Sequence, residues 1–114
     1  MIECRNLTKN YGTLAAVSDF GLHLQEHEFI SILGPSGCGK STLLRLIAGL
    51  EVPSEGQVFL QKKEISGKKI ILPPERRKFG MIFQDFALFP HLSVEANIAF
   101  GVNGSKSEKQ KRVR

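Results

Sequence analysis

The chain has 114 residues, with 16 Lys plus Arg against 11 Asp plus Glu and a formal net charge of +5. That length fits one small domain, or one piece of a larger domain, and leaves no room for two. Hydrophobic residues make up 41% and charged residues 24%, which excludes a disordered composition, while a pI of 9.5 raises nucleic acid or an anionic surface as partners. The charge is unevenly placed. Residues 105–114 hold Lys106, Lys109, Lys111, Arg112 and Arg114 against Glu108, and so carry +4 of the +5. The body, residues 1–104, is nearly neutral, and short charge runs of this kind are usually solvated surface. Cys4 and Cys38 lie 34 positions apart with no His or Cys at metal-ligand spacing, so reduced thiols are expected rather than a disulfide or zinc site. No secretory signal and no membrane-spanning run of about 20 apolar residues is visible, so a membrane role is expected only through a partner.

In chain order, residues 2–8 and 14–24 alternate apolar and polar residues and predict strands, interrupted at Asn10-Tyr11-Gly12 and at Gly21. Phe29-Ile-Ser-Ile-Leu33 is a compact apolar run that predicts a buried strand of a parallel sheet. Residues 40–50 place Leu43, Leu44, Leu46, Ile47 and Leu50 mostly on one helical face, with Gly49 marking the end. Pro53 to Gly56 is turn chemistry, and Gln57-Val-Phe-Leu60 predicts a short strand before a Lys-rich stretch over 61–69. Pro73-Pro74 opens a loop with Glu75, Arg76, Arg77 and Lys78, after which Phe79-Gly-Met-Ile-Phe83 predicts another strand. Ser93 is a cap for a helix over 94–100, with Glu95 where the helix dipole favours an anion.

The strongest signal is Gly34-Pro35-Ser36-Gly37-Cys38-Gly39-Lys40-Ser41, followed by Thr42, which matches the P-loop pattern G-x-x-x-x-G-K-[ST]. Phosphate oxygens are bound by a ring of backbone N–H groups, and side chains at the glycines would block close approach. The helix that follows points its N-terminus at the anion. Lys40 supplies a cation to the β- and γ-phosphates, and Ser41 offers a hydroxyl to Mg²⁺. A chance match has a probability of roughly 0.00003 per start at average residue usage. Cys38 occupies an unconstrained position and reads as a small filler.

These residues, at this spacing, resemble the N-terminal part of the ATP-binding subunit of ABC transporters. The resemblance implies an α/β fold of the P-loop NTPase type, made of an antiparallel β subdomain plus the P-loop strand and helix. In Lys-Asn-Tyr-Gly, Tyr11 resembles the aromatic that stacks on adenine, a task open to any flat ring. In Met-Ile-Phe-Gln-Asp-Phe, Gln84 resembles the Q-loop glutamine, whose amide oxygen approaches Mg²⁺. Thr42 stands near the phosphates, and Gly34 to Gly39 shape the cradle. Phe86 and Phe89 are either core or the border of the groove that receives a membrane subunit. His91, alone beside Pro90, is structural or interfacial rather than a ligand. The segment from Leu72 to Gly101 is similar to importers served by a periplasmic binding protein, especially the iron(III) type, with polyamine, phosphonate and sugar importers sharing much of it.

The resemblance further implies ATP and Mg²⁺ as cofactors, a second nucleotide-binding subunit, integral-membrane permease subunits and a place on the cytoplasmic face of the inner membrane. No direct nucleic-acid partner is expected. The chain holds no Leu-Ser-Gly-Gly-Gln signature, no apolar strand ending in Asp-Glu after Gln84 and no later His switch. Phosphoryl transfer to water needs a metal-holding Asp and a group that orients the water. The 114 residues alone are therefore expected not to turn over ATP and to be a fragment, a truncated product or an incomplete record. Residues 105–114 then read as the start of a helical subdomain. Unpaired sheet edges are expected to leave the isolated segment poorly stable. Two other readings stand beside the importer subunit: a soluble ATPase of the same superfamily acting on nucleic acid or ribosomes, supported only by the basic tail, and a nucleotide-binding module without turnover.

Overall fold

A computed structural model of the protein describes residues 1–113, so Arg114 of the basic tail lies outside the described residues. The chain forms two compact units, Met1–Met81 and a second beginning at Ile82. In the first, β1 (Ile2–Tyr11) and β2 (Leu14–Leu24) make an antiparallel hairpin whose register runs from Ile2↔Leu24 to Tyr11↔Leu14. Gly12 supplies the positive φ of the turn. On the other edge of β1 lies β3 (Glu55–Leu60), and β4 (Lys63–Ser66) continues the sheet, giving the order β2-β1-β3-β4 with every pair antiparallel. Gly56 sits at the register shift between β1 and β3 with φ +86°, and a Cβ there would overlap the Arg5 and Asn6 carbonyls. Across the same strands, the Arg5 guanidinium sits 4.4 Å from the centroid of the Phe59 ring.

Helix α1 (Lys40–Ala48) buries one stripe on this sheet. Leu43 and Leu46, three residues apart on one face, join Cys4, Leu7, Val17, Val58 and Ile65 in the core. The helix ends at Gly49, as its sequence signal predicts. Gly49 enters the left-handed region at φ +83°, and its N–H and that of Leu50 close on the carbonyls of Leu46 and Arg45. The exit from α1 is stitched to β1: Lys9 Nζ donates to Val52 O at 2.8 Å and pairs with Glu51 at 3.2 Å. A single helical turn, α2 (Pro74–Arg77), replaces the loop expected there, with Pro74 at the first helical position where its missing N–H costs nothing.

Two predicted strands do not form. Residues 29–33 and 79–83 carry no ladder, and Phe29, Leu33 and Ile82 are 94%, 88% and 99% exposed. Apolar runs become strands only when neighbouring strands take up their N–H and C=O groups. Among the described residues no segment pairs with either run. The apolar surface expected from unpaired edges is thus present at Phe29 and Leu33.

The second unit is built around α3 (Val94–Ala99) and α4 (Lys106–Val113). As expected, Ser93 caps α3, its Oγ accepting from Ala96 N at 3.2 Å. The Asn97 amide ties down the preceding loop: Nδ2 donates to the carbonyls of Phe89, Leu92 and Ser93, and Oδ1 accepts from Phe89 N at 2.8 Å. Phe89 packs on Phe100 with centroids 4.3 Å apart and meets the edge of His91 at 5.9 Å. Phe86 is 95% exposed, which removes the core alternative for that residue. α4 opens with Glu108 accepting from both Ser105 N and Ser105 Oγ, and these bonds hold its carboxyl below the usual range. No helix among the described residues is long and apolar enough to cross a membrane.

Removing the Leu46 side chain leaves a cavity at the contact between α1 and the sheet, and Leu46→Ala is expected to cost the first unit about 2–5 kcal/mol of unfolding free energy in a urea titration. Burial, reinforced by the Glu3 carboxylate, pushes the Cys4 thiol up from 9.0 to about 11. The fold therefore favours the neutral thiol. Its contribution is complete below the unfolded value and is lost as pH rises through the folded one. Unfolding free energy should fall between pH 9 and 11, and Cys4→Ala should flatten that slope.

Candidate phosphate-binding site

The loop from Gly34 to Gly39 leads straight into α1. Gly39 is the N-cap of the helix at φ +97°, and no side chain caps the end, so the first N–H groups of α1 have no intrahelical partners. That is a site with donors and a positive dipole end to offer an anion. The glycines are demanded by contact as well as by conformation. A Cβ on Gly39 would collide with the Ala16 carbonyl of β2, and one on Gly34 would lie 2.6 Å from Cys38 Sγ. Gly37 holds φ +81°. The loop is closed by Cys38 N donating to Pro35 O at 3.3 Å, and α1 begins with Leu43 N donating to Gly39 O at 2.9 Å.

Lys40 folds back over the loop. Its Nζ donates to Gly34 O and Pro35 O, both at 2.7 Å, and lies 3.4 Å from Cys38 Sγ. An ammonium held by two carbonyls is a positive charge kept at the cradle. Ser41 is exposed in the first turn and Thr42 half-buried beside it. A cleft of about 270 Å³ opens against this loop, with Ala16, Val17 and Phe20 of β2 on one side and Leu33, Gly39 and Lys40 on the other. Tyr11 closes the β1–β2 hairpin, 43% exposed, with Lys9 Nζ 4.9 Å from its ring centroid. The structure thus gathers Gly34, Pro35, Ser36, Gly37, Cys38, Gly39, Lys40, Ser41 and Thr42 into one loop and helix start, with Tyr11 in the same unit. Gln84 is exposed and belongs to the second unit.

Sequence reasoning missed Arg77. Read as part of a charged loop, it is fully buried and donates to Leu72 O, Leu46 O and Ile47 O at 2.7, 3.1 and 2.9 Å. Nothing in its neighbourhood along the chain marks it. The one hint lies 28 positions away at Gly49, where a Cβ would run into its guanidinium. Among the described residues no group of His, Cys, Asp and Glu is placed to hold a metal ion.

A family model described as ABC transporter matches residues 17–114. The chain belongs to the ABC transporter family. That match spans the whole cradle and Gln84, while Tyr11 precedes it. Among curated ABC proteins, the chain is 50% identical over 102 residues to a spermidine/putrescine import ATP-binding protein of Methylococcus capsulatus, covering 90% of this chain and 26% of that protein. It is 49% identical over 109 residues to the putrescine transport ATP-binding protein PotG of Escherichia coli, covering 96% and 28%. It is 47% identical over 104 residues to a sulfate/thiosulfate import ATP-binding protein of Gloeobacter violaceus, covering 91% and 29%. The chain therefore spans between a quarter and a third of these relatives. Among solved structures it is similar to the ATP-binding cassette MJ0796 in a dimeric post-hydrolysis state bound to ADP and Pi, with TM-score 0.84 and 34% identity over 99% of this chain and 54% of that one. The fold is that of the ABC ATPases, represented by its N-terminal part.

Gly39→Ala puts a methyl group into the Ala16 carbonyl and a side chain at a strained φ. We expect it to displace the start of α1, lower the melting temperature and abolish detectable ATP binding in a calorimetric titration.

Proposed function

We propose that the chain is the phosphate-binding portion of the ATP-binding subunit of a bacterial ABC importer. The observation that carries this is the glycine-shaped loop closed by Lys40 at the uncapped N-terminus of α1. In this reading the backbone N–H groups of Gly34 to Ser41 and the Lys40 ammonium hold the β- and γ-phosphates of ATP. Lys40 exchanges its two carbonyl partners for phosphate oxygens. The Ser41 hydroxyl and the Gln84 amide oxygen are the groups of suitable chemistry for Mg²⁺, Thr42 adds a hydroxyl near the phosphates, and Tyr11 offers its ring to adenine. The magnesium ion, when bound, neutralises charge on the transferring phosphoryl group.

The complete importer would pair two such subunits on integral-membrane permease subunits, peripheral to the inner membrane, and hydrolysis would be a property of that assembly. The helix over Lys106–Val113 supports reading residues 105–114 as the opening of a helical subdomain that follows the portion at 1–104. As to cargo, the curated relatives named above import polyamines or sulfate and thiosulfate. They favour a polyamine over the iron(III) implied by the segment Leu72 to Gly101.

Lys40→Ala removes charge-assisted hydrogen bonds to phosphate, worth about 1.5–3 kcal/mol. It is expected to weaken ATP binding by about ten- to a hundredfold in isothermal titration calorimetry. Unchanged affinity would sink the assignment.

A further inference from the structure

Arg77 is a charged side chain with no exposed surface, and it makes no ion pair among the described residues. A buried guanidinium without a carboxylate is costly, and burial alone lowers its proton affinity. Something must hold it in place. Nε donates to Leu72 O, at the entrance to α2, and Nη1 donates to Leu46 O and Ile47 O in the last turn of α1. Those two carbonyls belong to the negative end of the helix, where a cation is favoured. The other amino group, Nη2, is buried without a partner. Gly49 is the space the guanidinium occupies, because a Cβ there would overlap Nε and Cζ.

We propose that Arg77 is a positioning residue for the phosphate cradle: its guanidinium bolts the C-terminal carbonyls of α1 to Leu72, and so fixes the axial position and rotation of the helix whose N-terminus receives the phosphates. α1 has nine residues, so a shift at one end is transmitted as a rigid displacement to the other. The fork geometry matters as well as the charge. One planar group spans two chain segments, which a lysine ammonium on its single stem does not reproduce.

The inference rests on the nucleotide reading given above, and the experiment separates the two. The wild-type chain, labelled with ¹⁵N in arginine and in the backbone, is titrated with ATP and followed by NMR. Shifts at the amides of Gly34 to Ser41 report nucleotide binding. A shift of the Arg77 Nε–H resonance in parallel is the expected result. An Arg77 signal that stays put while the cradle amides move overturns the positioning role and leaves the nucleotide reading standing. Cradle amides that ignore ATP overturn both.

Arg77→Met and Arg77→Lys are then compared with Val58→Ala, a core change in β3 at a position outside the cradle and α1. At matched loss of melting temperature, both Arg77 variants should bind ATP about tenfold more weakly than Val58→Ala. Equal affinities, or an Arg77→Lys chain that binds like wild type, would reduce Arg77 to a packing role. Should the Arg77 variants fail to fold, the wild-type NMR titration decides alone.

Discussion

Helix α1 has a close contact at each end that involves a backbone carbonyl, and the cradle depends on both. At the front, Gly39 lies so close to the Ala16 carbonyl of β2 that no side chain fits between them. At the back, the Leu46 and Ile47 carbonyls are gripped by a guanidinium that fills the space over Gly49. Between these points Leu43 and Leu46 anchor the helix on the sheet. Two glycines therefore mark two close approaches, one of strand to helix and one of cation to helix. Burial of the Leu43–Leu46 stripe chooses the face that α1 turns to the sheet but sets its position along the axis only loosely, because burial is non-directional. The contacts at the ends supply direction.

The same division between directional and non-directional terms separates what was readable in the sequence from what was not. The β1–β2 hairpin, α1 and the Ser93 cap are written in local chemistry: alternation, a 3.6-residue stripe and a hydroxyl at a helix start. So is most of the cradle, since glycines followed by Lys and Ser are legible as a local pattern, although the Ala16 carbonyl that demands Gly39 lies in β2. The runs at 29–33 and 79–83 are different. Their apolar content promised burial, but burial belongs to a pair of segments, and neither run has a ladder partner among the described residues. β4 was hidden for a milder reason, as Lys63 and Glu64 disguise the strand whose Ile65 and Ser66 are buried. Arg77 was hidden most completely, because a charged residue beside two others reads as solvated surface until the carbonyls across from it are seen.

Asn97 shows how little is needed to organise a segment without regular structure. One amide group satisfies the N–H of Phe89 and three carbonyls. It does for residues 89–93 what a strand partner would do elsewhere, giving backbone N–H and C=O groups a place to bond within the protein. The loop is thereby fixed to α3 while Phe86 and Leu88 remain on the surface.

The bare run at 29–33 has an energetic consequence for any ligand of the cradle. The cradle hangs between a secured element and an unsecured one: Gly39 and Lys40 begin a helix pinned to the sheet, while Gly34 follows residues with no ladder behind them. Fixing a residue's backbone costs about 1–2 kcal/mol. On the nucleotide reading, phosphate bound there would draw part of that cost from its own contacts, so the affinity would be an intrinsic affinity diminished by an ordering term. A strand laid alongside Phe29 to Leu33 would remove that term and tighten nucleotide binding without touching the nucleotide. By reciprocity, nucleotide would tighten the docking of the strand.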